Sequence, residues 1–259
     1  ALFYLPLNQY RLIRKYASRE GYSPALDKLG GSTWSRKKAR IRSKISYLAD
    51  QLLTIYSERK TRPGFAFPSE PELEDDFLKA FPYQHTQSQI DVINDIKRDM
   101  EAGVPMDRLL AGDVGFGKTE IAFCAAFKAI LAHKQVALLC PTTILSMQHY
   151  KVAKERFHDF GVHICVFNRF SPKEEQDKNI KLIKEGKIDL IIGTHRLLSD
   201  EIVFKDLGLL IVDEEQKFGV AHKEKIKEKA KNVDCLTLTA TPIPRTMQMS
   251  LLNVRSLSL

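Results

Sequence analysis

Long apolar runs are missing from these 259 residues. None reaches the roughly 18 residues that a membrane-spanning helix needs, which excludes a helical span. The opening Ala1-Leu2-Phe3-Tyr4-Leu5-Pro6 lacks the basic segment and long apolar stretch of a secretion signal. Cysteine is scarce as well. Cys124, Cys140, Cys165 and Cys235 each sit alone in an apolar run with no C-x-x-C spacing, the pattern of buried free thiols rather than of disulfides or a zinc site. No internal repeat or low-complexity tract is evident. What remains is a chain with no membrane partner that reads as soluble and intracellular, and its 44% apolar content is ordinary for a protein with a sizeable core.

A charge excess of one sign is also absent from most of the chain. The net charge is +8, but residues 1 to 60 carry 13 Lys and Arg against 4 Asp and Glu, whereas residues 61 to 259 carry 27 against 28. The basic excess belongs to the N-terminal segment alone. Any nucleic-acid contact by the remainder must therefore be argued from motifs and not from charge.

The chain is organised around Gly112-Asp113-Val114-Gly115-Phe116-Gly117-Lys118-Thr119. It fits G-x-x-x-x-G-K-[ST], whose backbone N–H groups cradle nucleotide phosphates while the lysine reaches the outer phosphates and the hydroxyl holds Mg²⁺. By composition alone a chain of this length matches the pattern roughly once in a hundred times, so context has to decide. Here Leu109-Leu110-Ala111 reads as a strand entering the loop. Glu120 to Ala132 reads as the helix leaving it, and Glu120 completes the cofactor-binding set where the helix N-terminus adds its partial positive charge. A second apolar strand, Leu209 to Val212, ends in Asp213-Glu214. Asp213 is expected to hold Mg²⁺ together with Thr119, and Glu214 to orient or deprotonate the attacking water. A nucleoside triphosphate and Mg²⁺ are the ligands these two elements imply, and the family resemblance below makes the nucleotide ATP.

Between and around them, helical and strand patterns alternate. Helices are expected about Gln87 to Ala102, Ile144 to Phe160 and Lys173 to Glu185, with strands at Gln135 to Cys140, His163 to Phe167, Asp189 to Ile192 and Cys235 to Leu238. Short continuous apolar runs mark strands buried on both faces. The fold class is therefore α/β, a phosphate-loop lobe with a central, mainly parallel sheet flanked by helices, whose chemistry belongs at the carboxyl ends of the strands. Upstream, Ser35 to Lys60 carries one apolar stripe (Ile41, Ile45, Leu48, Leu52, Ile55, Tyr56) on a long amphipathic helix with a basic N-terminal end. Pro63, Gly64, Pro68 and Pro71, with an acidic run from Glu70 to Asp76, read as a linker.

Asp213-Glu214-Glu215-Gln216 resembles the D-E-x-H or D-E-x-D box of superfamily two helicases and translocases, with Gln216 where those carry His or Asp. Pro141-Thr142-Thr143, Gly193-Thr194-His195 and Thr239-Ala240-Thr241 follow the order of that superfamily's other motifs. The resemblance implies that Thr142, Thr143, Thr194 and His195 grip nucleic-acid phosphates, contacts that position without reading sequence. It also implies that Gln216, Thr239 and Thr241 couple that track to the ATP site. Phe81-Pro82-Tyr83 and Thr86-x-x-Gln89 look like its adenine-reading element, Gln89 bonding the base edge and Phe81 stacking on its face. Thr86 alternatively caps the helix it precedes.

Thr239 to Thr246 is similar to the segment shared by RecG-type branch-migration helicases and the transcription-repair coupling factor family. Lys28-Leu29-Gly30-Gly31, Gly64-Phe65-Ala66-Phe67, Met106-Asp107-Arg108-Leu109 and Phe204-Lys205-Asp206-Leu207-Gly208 favour the latter. This implies a bacterial, cytoplasmic, ATP-dependent translocase on double-stranded DNA that couples release of stalled RNA polymerase to nucleotide excision repair proteins. In the same terms, residues 1–33 are the end of a polymerase-interacting module, 34–60 a connector helix, 61–80 a linker and 81–259 the first of two RecA-like lobes. The resemblance assigns the arginine fingers to the second lobe, so the chain alone is expected to bind nucleotide and barely hydrolyse it. Two alternatives stand beside this: a RecG-like lobe acting on branched DNA, and a nucleotide-regulated protein-interaction module docking through the basic helix.

Overall fold

The computed structural model describes residues 63–229, 232–240 and 256–258. All of them fall in the second of the two units into which the chain divides, Leu53–Leu259. The connector helix, the N-terminal module remnant, Thr241 and the Pro242 to Thr246 extension lie outside the described residues.

Seven strands form one sheet: β1 (Asp107–Ala111), β2 (Gln135–Leu139), β3 (Ile164–Phe167), β4 (Leu190–Gly193), β5 (Leu207–Asp213), β6 (Asp234–Thr239) and β7 (Ser256–Ser258). Their order across the sheet is β3-β4-β2-β5-β6-β1-β7, and each neighbouring pair is parallel. The helices between them are α1 (Pro71–Lys79), α2 (Gln87–Glu101), α3 (Lys118–Leu131), α4 (Thr143–Arg156), α5 (Lys173–Glu185) and α6 (Val220–Lys229). This is the expected α/β lobe, and the elements that were expected lie within four residues of their expected ends, with Lys173–Glu185 matching at both.

Burial on both sides of the sheet follows from the two-residue period of a strand. In β2, Val136 and Leu138 join the core cluster packed with α2 and α3, through Val92, Ile96, Phe123 and Phe127. Their neighbours Ala137 and Leu139 join a second cluster with Phe167, Ile183 and Val212. Helix α3 is buried at every position from Glu120 to Ala129, which explains its alanine-rich sequence: small side chains let the helix lie close against the sheet.

Residues 63–80 depart from the expected linker. Pro71 begins α1 instead of breaking the chain, because the first helical position has no intrahelical acceptor to lose and its φ is already set. Phe77 of that helix is 1% exposed and stacks on Phe127 at 4.3 Å. Ahead of it, Phe67 is buried, and its N–H donates to the Met100 carbonyl (3.0 Å) at the end of α2. Buried Lys128 of α3 fixes the same stretch through the Pro68 carbonyl (3.0 Å) and Glu74 (2.8 Å). The proline spacing correctly marks irregular chain over 63–70 but misses that this chain packs as part of the lobe.

Candidate nucleotide site

The phosphate loop leaves the carboxyl end of β1 and enters α3. Gly115 and Gly117 take φ of 87° and 81°, the left-handed region that glycine enters without a Cβ penalty, and Lys118 is the first helical residue. The Lys118 ammonium donates to the Gly112 (2.6 Å) and Asp113 (2.7 Å) carbonyls across the loop. Val114, at the loop tip, is 89% exposed, so the loop faces solvent while its lysine folds back over it.

Three backbone contacts bring this loop and the acidic box to one place. Gly112 N–H donates to the Thr239 carbonyl (3.2 Å) and Glu214 N–H to the Leu238 carbonyl (2.9 Å), so the end of β6 anchors both elements. In return, Ala240 N–H donates to Glu214 Oε1 (2.7 Å), and Gln216 donates to the other oxygen. With β6 between β1 and β5, the loop and Asp213 lie two strand spacings apart, roughly 10 Å. Glu214 itself is left-handed (φ 51°), a conformation costly for a side chain larger than glycine and found disproportionately at functional sites. The candidate metal ligands, the Thr119 hydroxyl and the Asp213 carboxylate, are hard oxygen donors, a set that suits Mg²⁺ rather than zinc.

Asp213 has a partner that sequence reasoning missed. His149, on α4, places Nε2 3.1 Å from Asp213 Oδ2, and both side chains are largely buried. Nothing local in the sequence signals this contact across 64 residues. Arg156, at the end of the same helix, was likewise missed. Its Nε and Nη2 donate to Glu120 (2.7 to 3.2 Å), and Nη2 also reaches the Phe77 carbonyl (2.6 Å). The Glu120 carboxylate, 6% exposed, is therefore taken up by an arginine, and its N–H donates to the Gly117 carbonyl (3.0 Å).

The adenine candidates separate. Thr86 is the N-cap of α2 in a capping box with Gln89: its hydroxyl accepts from Gln89 N–H (3.3 Å), and Gln89 Oε1 accepts from Thr86 N–H (2.9 Å). The Gln89 amide then donates to the Phe116 carbonyl (2.7 Å), tying α2 to the phosphate loop. Phe81 packs instead on Tyr83 and His85 and lines a groove of about 570 Å³ with Ile90 and Asn94.

The threonines end their strands at the same sheet edge with unequal exposure. Thr142 caps α4 and is exposed, Thr143 is half-buried, and Thr194 and Thr239 are buried. The His195 ring lies 4.9 Å from that of His222, tilted by 32°, and burial, then the charges of His222 and Arg196, lower its pKa.

The cysteines are all buried and free. One further cluster of metal-ligating types occurs among the described residues, His85, Glu120 and Cys124. Arg156 already neutralises its carboxylate, and burial pushes the Cys124 thiol far up, so it lacks the anionic donors a metal requires.

Residues 86–250 match the model of the DEAD/DEAH box helicase family. Curated relatives named transcription-repair-coupling factor are 55% identical in Bacillus subtilis (strain 168) and 50% identical in Staphylococcus epidermidis, each over 255 residues, 98% of this chain. The chain spans 22% of the length of those relatives. Among solved structures, RecG bound to a three-way DNA junction superposes with a TM-score of 0.71 at 34% identity, covering 87% of this chain and 31% of that one. The DEAD-box helicase Mss116 bound to ssRNA shares the fold at 14% identity and a TM-score of 0.56, over 71% of this chain and 41% of its own. Phosphate loop, acidic box and parallel sheet thus agree with the matched family over 165 residues, and the chain belongs to the DEAD/DEAH box helicase family, with homologues named transcription-repair-coupling factor.

Proposed function

We propose that this lobe binds MgATP and forms one wall of the ATPase site of a double-stranded DNA translocase that couples stalled RNA polymerase to nucleotide excision repair. The observation that carries this is the convergence of phosphate loop and acidic box on the end of β6, through Gly112, Glu214 and Ala240. Lys118 would exchange its two carbonyl partners for the outer phosphate oxygens, a substitution that costs little because one set of acceptors replaces another. Asp213 and Thr119 would hold Mg²⁺, which supplies charge neutralisation between the phosphates. Glu214 would receive or orient the proton of the attacking water, its carboxylate held by Ala240 N–H and Gln216 until nucleotide and DNA rearrange them. Because Ala240 belongs to the Thr239-Ala240-Thr241 segment, movement of that segment would be felt at Glu214 directly. Thr142, Thr143, Thr194 and His195 would then face the nucleic-acid backbone.

Titration of the 259-residue chain with a fluorescent ADP analogue, with and without Mg²⁺, tests the site. Lys118→Ala is expected to weaken binding by roughly tenfold to a hundredfold, the worth of a charge-assisted hydrogen bond, whereas Glu214→Gln leaves affinity unchanged. Equal binding by wild type and Lys118→Ala would refute the site. The likeness to RecG supports a second reading, a lobe acting on branched DNA. A preference for three-way junctions over linear duplex, with no contact to RNA polymerase, would favour it.

A further inference from the structure

We propose that His149 is a positioning residue for the metal-binding carboxylate of Asp213, a role that rests on Asp213 being the Mg²⁺ ligand. A carboxylate oxygen only accepts, so the 3.1 Å contact requires the hydrogen on His149 Nε2, donated to Oδ2. That leaves Oδ1, on which no donor falls among the described residues, as the acceptor for a metal or a metal-bound water. Without a donor, the terminal torsion of an aspartate is broad and nearly two-fold. With one oxygen claimed by the imidazole, the other has a single direction.

The donor is itself well held. His149 stands in the middle of α4, which Thr142 caps at one end by accepting from Leu145 N–H (3.3 Å). At the other end Arg156 is bound to Glu120 of the phosphate-loop helix and to the Phe77 carbonyl. His149 and Asp213 are 11% and 13% exposed, so water competes weakly for either partner. The orientation of Asp213 is thus referred through α4 to α3, the helix that carries Lys118 and Thr119. Donors behind a ligating carboxylate commonly matter about tenfold to a hundredfold in metal affinity.

The test is a fluorescent-ADP titration of the 259-residue chain in EDTA and at graded Mg²⁺. In His149→Leu the Mg²⁺ concentration that half-restores tight binding is expected to rise about tenfold or more, while the metal-free affinity stays within about twofold of wild type. His149→Gln, whose amide nitrogen reaches a similar point, should recover most of the loss. His149→Asn, too short to reach, should behave as the leucine variant and serves in its place should that chain not fold. Unchanged Mg²⁺ dependence in His149→Leu or His149→Asn, alongside its loss in Asp213→Asn, would overturn the inference and leave the site intact. Persistence of Mg²⁺ dependence in Asp213→Asn would overturn the site reading, and the inference with it. Equal loss of metal-free and Mg²⁺-dependent affinity in every His149 variant would show that the residue only supports the fold.

Discussion

Glu120 and Glu214 stand on the two elements that meet at the end of β6, and their surroundings differ. Glu120 is 6% exposed and gripped by Arg156, which also donates to the Phe77 carbonyl and lies over the Phe77 ring. Glu214 is half-buried at a strand tip, in a left-handed conformation, and its carboxylate is held by a backbone N–H and a glutamine amide instead of a cation. A buried carboxylate paired with arginine has its charge fully committed and acts as a tie between helices. A carboxylate held by neutral donors keeps its charge available and can exchange partners. The difference separates an acid that ties two helices from one whose carboxylate can exchange partners, although a sequence pattern places both residues in one site.

Arg156→Ala should have the largest effect on this contrast. It leaves Glu120 buried without its cation and should cost about 3–5 kcal/mol in urea unfolding. Replacing both partners by apolar residues, Glu120→Leu with Arg156→Met, should recover much of that loss. An Arg156→Ala chain as stable as wild type would end the description of Glu120 as a tie.

A second buried acid extends the same contrast to pH. Burial alone would raise the pKa of Glu74, but the hydrogen bonds and charges of Lys128 and Lys97 outweigh it and hold the carboxyl below its ordinary 4.5. A lowered folded-state pKa stabilises fully above the unfolded value and is lost as pH falls through the folded one. Glu74→Gln should therefore cost about 1–3 kcal/mol at neutral pH, and its unfolding midpoint should converge with that of wild type below pH 4.5. Parallel curves down to pH 3 would contradict this. The smallest effect is expected at Glu214: Glu214→Gln should shift stability by no more than about 0.5 kcal/mol, since an amide oxygen still accepts from Ala240. A loss comparable to that at Arg156 would place Glu214 with the structural acids.

Much of the lobe was legible because its signals are local. Gly115, Gly117 and Lys118 declare a loop by backbone freedom and charge, and runs such as Leu209 to Val212 declare a strand buried on two faces. Pro71 misled because proline has two opposite meanings, a breaker inside a helix and a starter at its first position, and only the burial of Phe77 distinguishes them. Glu120 was placed with the cofactor-binding residues by its position after Thr119, yet its carboxylate is committed to Arg156, 36 residues away.

The order of residues by itself determined the alternation of strands and helices, the phosphate loop, the acidic box and the family to which the chain belongs, because each depends on neighbours a few positions apart. The tertiary structure alone decided that the end of β6 holds loop and box together, that Arg156 pairs with the Glu120 carboxylate, and that His149 stands behind Asp213. Those contacts join residues 24 to 127 positions apart, and their partners are chosen by the order in which parallel strands assemble, which no local pattern encodes.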